Sequence, residues 1–254
     1  MLNLIDLTGK RILVAGASSG IGRKTAITLS RVGAKLILMA RREEQLGEAL
    51  AELEGGEHAA YCVDFSKLNS IESYVETAVK EHGILDGLVY SAGITMDLPL
   101  RMFSAEKLEQ VFRVNFFGFA ECVRQTTKKG RFRPGMRIVG VSSVASLIGK
   151  KADMGYSASK GAMNAAIRSM AIELAEKDIC INAVAPGMTA TKMYKDYIAQ
   201  NGVDSNANLS ILKRQYLGIG DPQDIANVIA FLISPAARFI TGITLPVDGG
   251  RTSN

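Results

Sequence analysis

Short apolar runs recur along the chain near 11–15, 34–39, 58–63, 86–90, 136–142, 179–184 and 243–247, with helix-length stretches between them. A run this short that is apolar throughout, without strict alternation, reads as a strand buried on both faces. Such strands joined by helix-length connections predict an α/β fold: a parallel, doubly wound sheet of about seven strands with helices on both faces. A sheet of this kind holds its ligand across the carboxyl ends of the strands. Two further stretches, 103–124 and 156–173, are expected as long helices that turn Phe112, Phe116, Phe119, Met163, Ile167 and Met170 toward the core.

The 254 residues are 47% hydrophobic, enough for a substantial core, and no linker or low-complexity tract divides them. One domain over 1–254 is expected. The sequence carries neither a basic flank with an apolar leader nor a run approaching ~18 apolar residues, so a cytoplasmic protein that does not enter membranes is expected. The net charge of +5 suits an anionic cofactor or substrate but is too small to indicate nucleic acid as a partner. Its densest concentration, Lys128-Lys-Gly-Arg131-Phe-Arg133-Pro-Gly-Met-Arg137, reads as a solvated helix end and turn. Cys62, Cys122 and Cys180 are isolated in apolar contexts and read as reduced core residues. His58 and His82 lie near no ligand cluster, so no metal site is expected.

The first apolar run leads directly into Gly16-Ala-Ser18-Ser19-Gly20-Ile21-Gly22 and then a helical stretch. Glycines allow a tight turn and let a pyrophosphate approach backbone N–H groups at a helix start, where the helix dipole favours negative charge. The spacing is G-x-x-x-G-x-G, which departs from the commonest dinucleotide fingerprint. At the end of the second run, where an acid would hold the ribose of NAD, the chain has Ala40 followed by Arg41 and Arg42. Arginine there can form charge-assisted bonds to a 2′-phosphate, so NADP(H) is the expected cofactor. The same two residues also suit the solvated start of the next helix, Arg42 more than Arg41.

Tyr156 and Lys160 stand at i and i+4, thirteen residues and more after Ser143. This spacing puts a phenol and an ammonium on one helix face. An ordinary tyrosine, with a pKa near ~10, carries protons poorly at neutral pH unless a cation favours its phenolate. Lys160 is the candidate cation.

Together these residues resemble the short-chain dehydrogenase/reductase family, in its compact branch, from about residue 7 to residue 250. The resemblance implies a Rossmann-like fold in which Gly16, Gly20 and Gly22, with Ser18, Ser19 and Ile21 among them, form the cofactor turn. It gives Asp64 the adenine amino group. Ala92 and Gly93 close the run Leu88-Val-Tyr-Ser-Ala-Gly93, where the family usually has Asn-Asn-Ala-Gly, so Tyr90 is a departure. Asn115 matches the asparagine that interrupts a helix and anchors a relay water, and Ser143 the residue that hydrogen-bonds the reacting oxygen. Pro186, Gly187, Thr189 and Thr191 match the segment against nicotinamide and pyrophosphate, while Tyr156 and Lys160 touch the cofactor as well as the substrate. Thr241-Gly242 and Val247-Asp-Gly-Gly250 match the closing turn and last strand.

The resemblance further implies an enzyme that passes hydride between NADPH and a small-molecule ketone or alcohol while Tyr156 moves the proton. A 3-oxoacyl thioester, carrier-bound, is the most conventional substrate, with the basic run and Lys177 as a docking patch for an acidic carrier. A steroid, sugar or polyol is the alternative, and a nucleotide sensor without turnover a third reading. The segment 188–217 resembles a substrate lid, with Met193, Tyr194, Tyr197, Ile198, Leu209, Leu212 and Tyr216 available to cover an apolar or amphipathic substrate and 201–208 as its exposed tip. Leu98, Leu147 and Met154 are further pocket candidates. The two long helices imply a homo-oligomer, dimer or tetramer.

Overall fold

The computed structural model describes residues 5–202 and 213–253. Its strands are β1 (Arg11–Ala15), β2 (Lys35–Ala40), β3 (Ala59–Cys62), β4 (Leu85–Tyr90), β5 (Phe132–Val141), β6 (Cys180–Pro186) and β7 (Thr244–Val247). The helices are α1 (Gly20–Arg31), α2 (Glu43–Ala51), α3 (Leu68–His82), α4 (Ala105–Phe112), α5 (Gly118–Thr126), α6 (Met154–Ala175), α7 (Lys192–Asn201) and α8 (Pro222–Ile233).

All seven strands are parallel, in the order β3-β2-β1-β4-β5-β6-β7. Side chains alternate across the sheet, and both faces find helices. Ile12 and Val14 of β1 pack with Leu29 of α1 and Ile225 and Ile229 of α8. Leu13 and Ala15 face the other layer, with Val75 of α3, Phe119 of α5 and Ile167 of α6. Burial on both sides explains why the strand runs are apolar throughout. At roughly 1.5–3 kcal/mol per large apolar side chain, these two layers supply the main drive for folding.

After β3 the chain crosses back to set β4 beside β1, so the strand order reverses between them and a crevice opens at their carboxyl ends. Gly16 bends the chain out of β1 at φ +82°, in the left-handed region, and a β-carbon there would lie 2.5 Å from Ala92 N. At Gly22 a β-carbon would lie 2.2 Å from the Gly16 carbonyl oxygen, so α1 can start this close to the turn only without one.

The expected long helix over 103–124 is present as a continuous helical stretch over 105–126 with one local interruption. A single π turn at Arg113–Phe117 separates α4 from α5, and Asn115 inside it is fully buried. Phe103 and Ser104 precede the helix, with Ser104 accepting a bond from Lys107 N–H as N-cap.

Two other expectations change, and the departure at Tyr90 fills core space. Only Cys122 is a core cysteine, since Cys62 is exposed and Cys180 half-buried. The basic run is not simply solvated: Lys128 pairs with Glu72 and Arg131 with Glu76 of α3, while Arg137 is buried in β5. Tyr90 does not reach the crevice. It lies in the core, edge-on to Phe65 and Phe119, and its hydroxyl donates to the Val114 carbonyl at 2.5 Å. No helix among the described residues is long and apolar enough to cross a membrane.

Candidate active site

The segments that follow β1 to β6 converge on a cavity of about 440 Å³. Gly16, Ser18, Ser19, Gly20 and Ile21 line it from the first turn, Arg41 and Arg42 from the end of β2, and Asp64 from the end of β3. Ala92, Gly93, Ser143, Tyr156, Lys160, Pro186, Gly187, Thr189 and Thr191 complete the sequence-expected part of the wall. Gly22 and Asn115 stand behind it.

At the nucleotide end, Ser19 is the N-cap of α1, yet its side chain makes no capping bond to the helix. The first backbone N–H groups of α1 therefore have no side-chain cap, an arrangement that favours an anion. The Ser19 hydroxyl instead accepts from the Arg42 guanidinium at 2.7 Å, which also reaches the Ser18 hydroxyl at 3.2 Å. Arg42 thus braces the turn, while Arg41 is exposed at the cavity mouth. The Asp64 carboxyl accepts from the Ser66 N–H and hydroxyl at 3.0 and 2.8 Å. Burial pushes its pKa up, but these bonds and the charges of Arg41 and Lys67 outweigh that and hold it below the ordinary value. Helix start, hydroxyls and two guanidiniums form a donor set that fits a nucleotide with several phosphates.

At the other end, α6 carries Tyr156 and Lys160 on its first two turns. Ser143 stands just past the end of β5, where its hydroxyl accepts from Ala145 N–H at 3.1 Å, and it shares the cavity wall with the Tyr156 phenol. Lys160 is buried, and its Nζ donates to the Val141 carbonyl at 2.7 Å. Burial lowers its pKa to about 8. Burial also pushes the phenol of Tyr156 up to about 12; the Ser143 hydroxyl pulls it down, and the charges of Asp153 and Asp97 push it further up. The expected lowering of Tyr156 by Lys160 is not seen. The ammonium lies 5.8 Å from the ring centroid, on the carbonyl of Val141, and desolvation of the phenolate dominates.

Asn115 braces this end from behind. Its Oδ1 accepts from Ile94 N–H at 2.8 Å, and its Nδ2 donates to the Ile94 carbonyl and the Ser159 hydroxyl at 3.0 and 2.9 Å. The side chain clamps the loop after β4 to α6, and it does so because the π turn leaves it pointing inward.

Met193, Tyr194 and Tyr197 of α7 line the cavity, whereas Leu98, Leu147, Met154, Ile198 and Tyr216 do not. Leu209, Leu212 and most of the expected lid tip lie outside the described residues. Sequence reasoning missed Asp97, Lys150, Asp153 and Arg251, all in the wall. Asp97 follows the β4 loop and Asp153 precedes Tyr156 by three residues, so position gave a usable signal for those two. Nothing local marks Arg251.

The family model described as "Enoyl-(Acyl carrier protein) reductase" matches residues 16–252. A glucose 1-dehydrogenase of Gluconobacter oxydans is 37% identical over 96% of this chain and 92% of its own length. A 3-oxoacyl-[acyl-carrier-protein] reductase of Thermotoga maritima is 33% identical over 96% and 98%. Among solved structures, a dehydrogenase/reductase from Sinorhizobium meliloti superposes with a TM-score of 0.90 at 32% identity, covering 98% of this chain and 97% of that one. With matches over nearly the whole chain and a parallel sheet that ends in this cavity, the chain belongs to the short-chain dehydrogenase/reductase family of oxidoreductases.

Proposed function

We propose that the protein, as one domain over 1–254, interconverts a ketone and a secondary alcohol with NADP(H), acting in the cytoplasm as a homo-oligomer. The observation that carries this reading is the meeting of Ser143, Tyr156 and Lys160 on the wall of one cavity that ends, at its other side, in the open N-terminus of α1. When bound, the nicotinamide supplies or takes the hydride. The phenol of Tyr156, kept protonated by burial, donates to the oxygen of the ketone as negative charge develops there. Ser143 steadies that oxygen with a second hydrogen bond. Lys160, with its Nζ 5.8 Å from the Tyr156 ring centroid, supplies a buried positive charge on the same helix that opposes the negative charge left on the phenolate when the proton departs. Asn115 holds the loop and helix that carry these groups in register.

Arg41 is assigned to the 2′-phosphate and Arg42 to the turn beneath the pyrophosphate, on the strength of the Arg42 bonds to Ser18 and Ser19. The relatives' names support oxidoreduction but diverge on substrate, a sugar in one and a carrier-bound oxoacyl group in the other. A carrier-docking patch draws little support from the basic run, because Lys128 and Arg131 are paired with Glu72 and Glu76.

The test is a panel of ketones and alcohols with NADPH, NADH and their oxidised forms, read by nicotinamide absorbance. Turnover with the phosphorylated cofactor on at least one ketone–alcohol pair is expected. Nucleotide binding without turnover across the panel would support a sensor instead.

A further inference from the structure

The cavity wall beside Tyr156 contains a polar group that hydride and proton transfer do not require. Leu98 N–H donates to the Ala152 carbonyl at 2.9 Å, joining the loop after β4 to the segment before α6. That bond sets Asp97 and Asp153 side by side, and Ala152 holds a left-handed φ of +62° to make the join. Both carboxyl groups line the cavity. Asp153 is 3% exposed and also accepts from the Ser157 hydroxyl at 3.1 Å. Asp97 accepts from the Thr95 hydroxyl at 3.2 Å and faces Lys150 Nζ at 3.5 Å. Lys150 in turn sits 4.7 Å over the Tyr197 ring. Arg251 joins the same wall with its Nε buried and without a hydrogen-bond partner among the described residues.

Resting on the oxidoreductase reading above, we propose that Asp97 and Asp153, with Lys150 and Arg251, read hydroxyl groups, and that the substrate is a hydroxylated ketone or the matching polyol. A hydroxyl both donates and accepts, so it can serve a wall that mixes carboxylates with ammonium and guanidinium groups. An alkyl chain can do neither, and would strip water from buried carboxyl groups without replacing its bonds. Burial already pushes the Asp153 carboxyl up to about 6, with Lys150 pulling it down and Asp97 pushing it up. Asp153 is the N-cap of α6, three residues before Tyr156, and Asp97 and Asp153 share the cavity wall with the Tyr156 phenol. The hydroxyl that they read therefore lies close to the carbonyl in the substrate.

Matched ketones test this with the intact protein and NADPH. Acetoin differs from methyl isopropyl ketone, and dihydroxyacetone from diethyl ketone, only by hydroxyl in place of methyl. The hydroxylated member of each pair should win by about a hundredfold or more in kcat/KM, since a site built to bond a hydroxyl rejects the analogue that lacks it. In Asp97→Asn and Asp153→Asn the ratio should fall at least about tenfold. Should Asp153→Asn fail to fold, Asp97→Asn, whose side chain is 25% exposed, reads the same ratio. A ratio near one in the wild type, or one unchanged by either substitution, overturns the inference and leaves the oxidoreductase reading standing. Nucleotide binding with no turnover of any ketone overturns both.

Discussion

Tyr156 and Lys160 share a helix face, yet burial moves their proton affinities in opposite directions, to about 12 and about 8. Because kcat/KM reports the free enzyme, its pH profile for NADPH at saturating ketone should follow Lys160 on the basic side. The ammonium is the competent form and is lost as pH rises through about 8, so reduction should decline above that value. A profile flat to pH ~10, where an ordinary lysine titrates, would show that Lys160 is not the group observed. The two arginines after β2 separate by a different measurement. Losing a bond to a charged group costs about 1.5–3 kcal/mol, so Arg41→Ala should weaken NADPH roughly tenfold to a hundredfold and leave NADH nearly unaffected. Arg42→Ala, by releasing Ser18 and Ser19, should weaken both cofactors. Calorimetric titration of the two nucleotides decides it, and equal losses in Arg41→Ala would remove that residue from the phosphate.

The element that ties the site together is the π turn between α4 and α5. It turns Asn115 inward, and Tyr90 from the middle of the sheet bonds the neighbouring Val114 carbonyl. Tyr90→Phe keeps the packing against Phe65 and Phe119 but leaves that carbonyl unpaired, at a cost of about 1–3 kcal/mol. Denaturant unfolding should register the loss, and turnover should fall with it as Asn115 loosens; an unchanged midpoint would mean that the carbonyl finds another partner. The strands and glycine turn were legible in the sequence because burial on both faces leaves continuous apolar runs, and because Gly16 and Gly22 occupy space that no β-carbon fits. The pair Tyr156 and Lys160 was legible because helical spacing is fixed. Tyr90 was not, since an apolar strand run does not say which face a tyrosine takes. Neither was the polar wall, because Asp97, Lys150, Asp153 and Arg251 come from separate segments that only the folded chain brings to one cavity.

At the scale of the whole molecule, one end of the sheet collects the chemistry while the helices beside it keep apolar surface exposed. Phe112, Phe116 and Phe117 cluster with ring centroids 5.6 to 6.3 Å apart, and Phe117 is 39% and Ile172 of α6 79% exposed. The proposed homo-oligomer would cover such a surface through an isologous contact, and α6 would then be held at the interface while it carries Tyr156 and Lys160. Ile172→Glu should accordingly give a smaller particle by light scattering, with reduced turnover. A fully active wild-type monomer at working concentration would remove the oligomer from the proposal. The most direct measurement concerns the phenol itself. In Tyr156→Phe the ring remains and the transferable proton is gone, so NADPH oxidation by a ketone should fall roughly 10²–10⁴-fold. NADPH binding, followed by nicotinamide fluorescence, should persist in the same protein. Wild-type turnover in a folded Tyr156→Phe variant would contradict proton transfer from Tyr156 and the ketone–alcohol chemistry built on it.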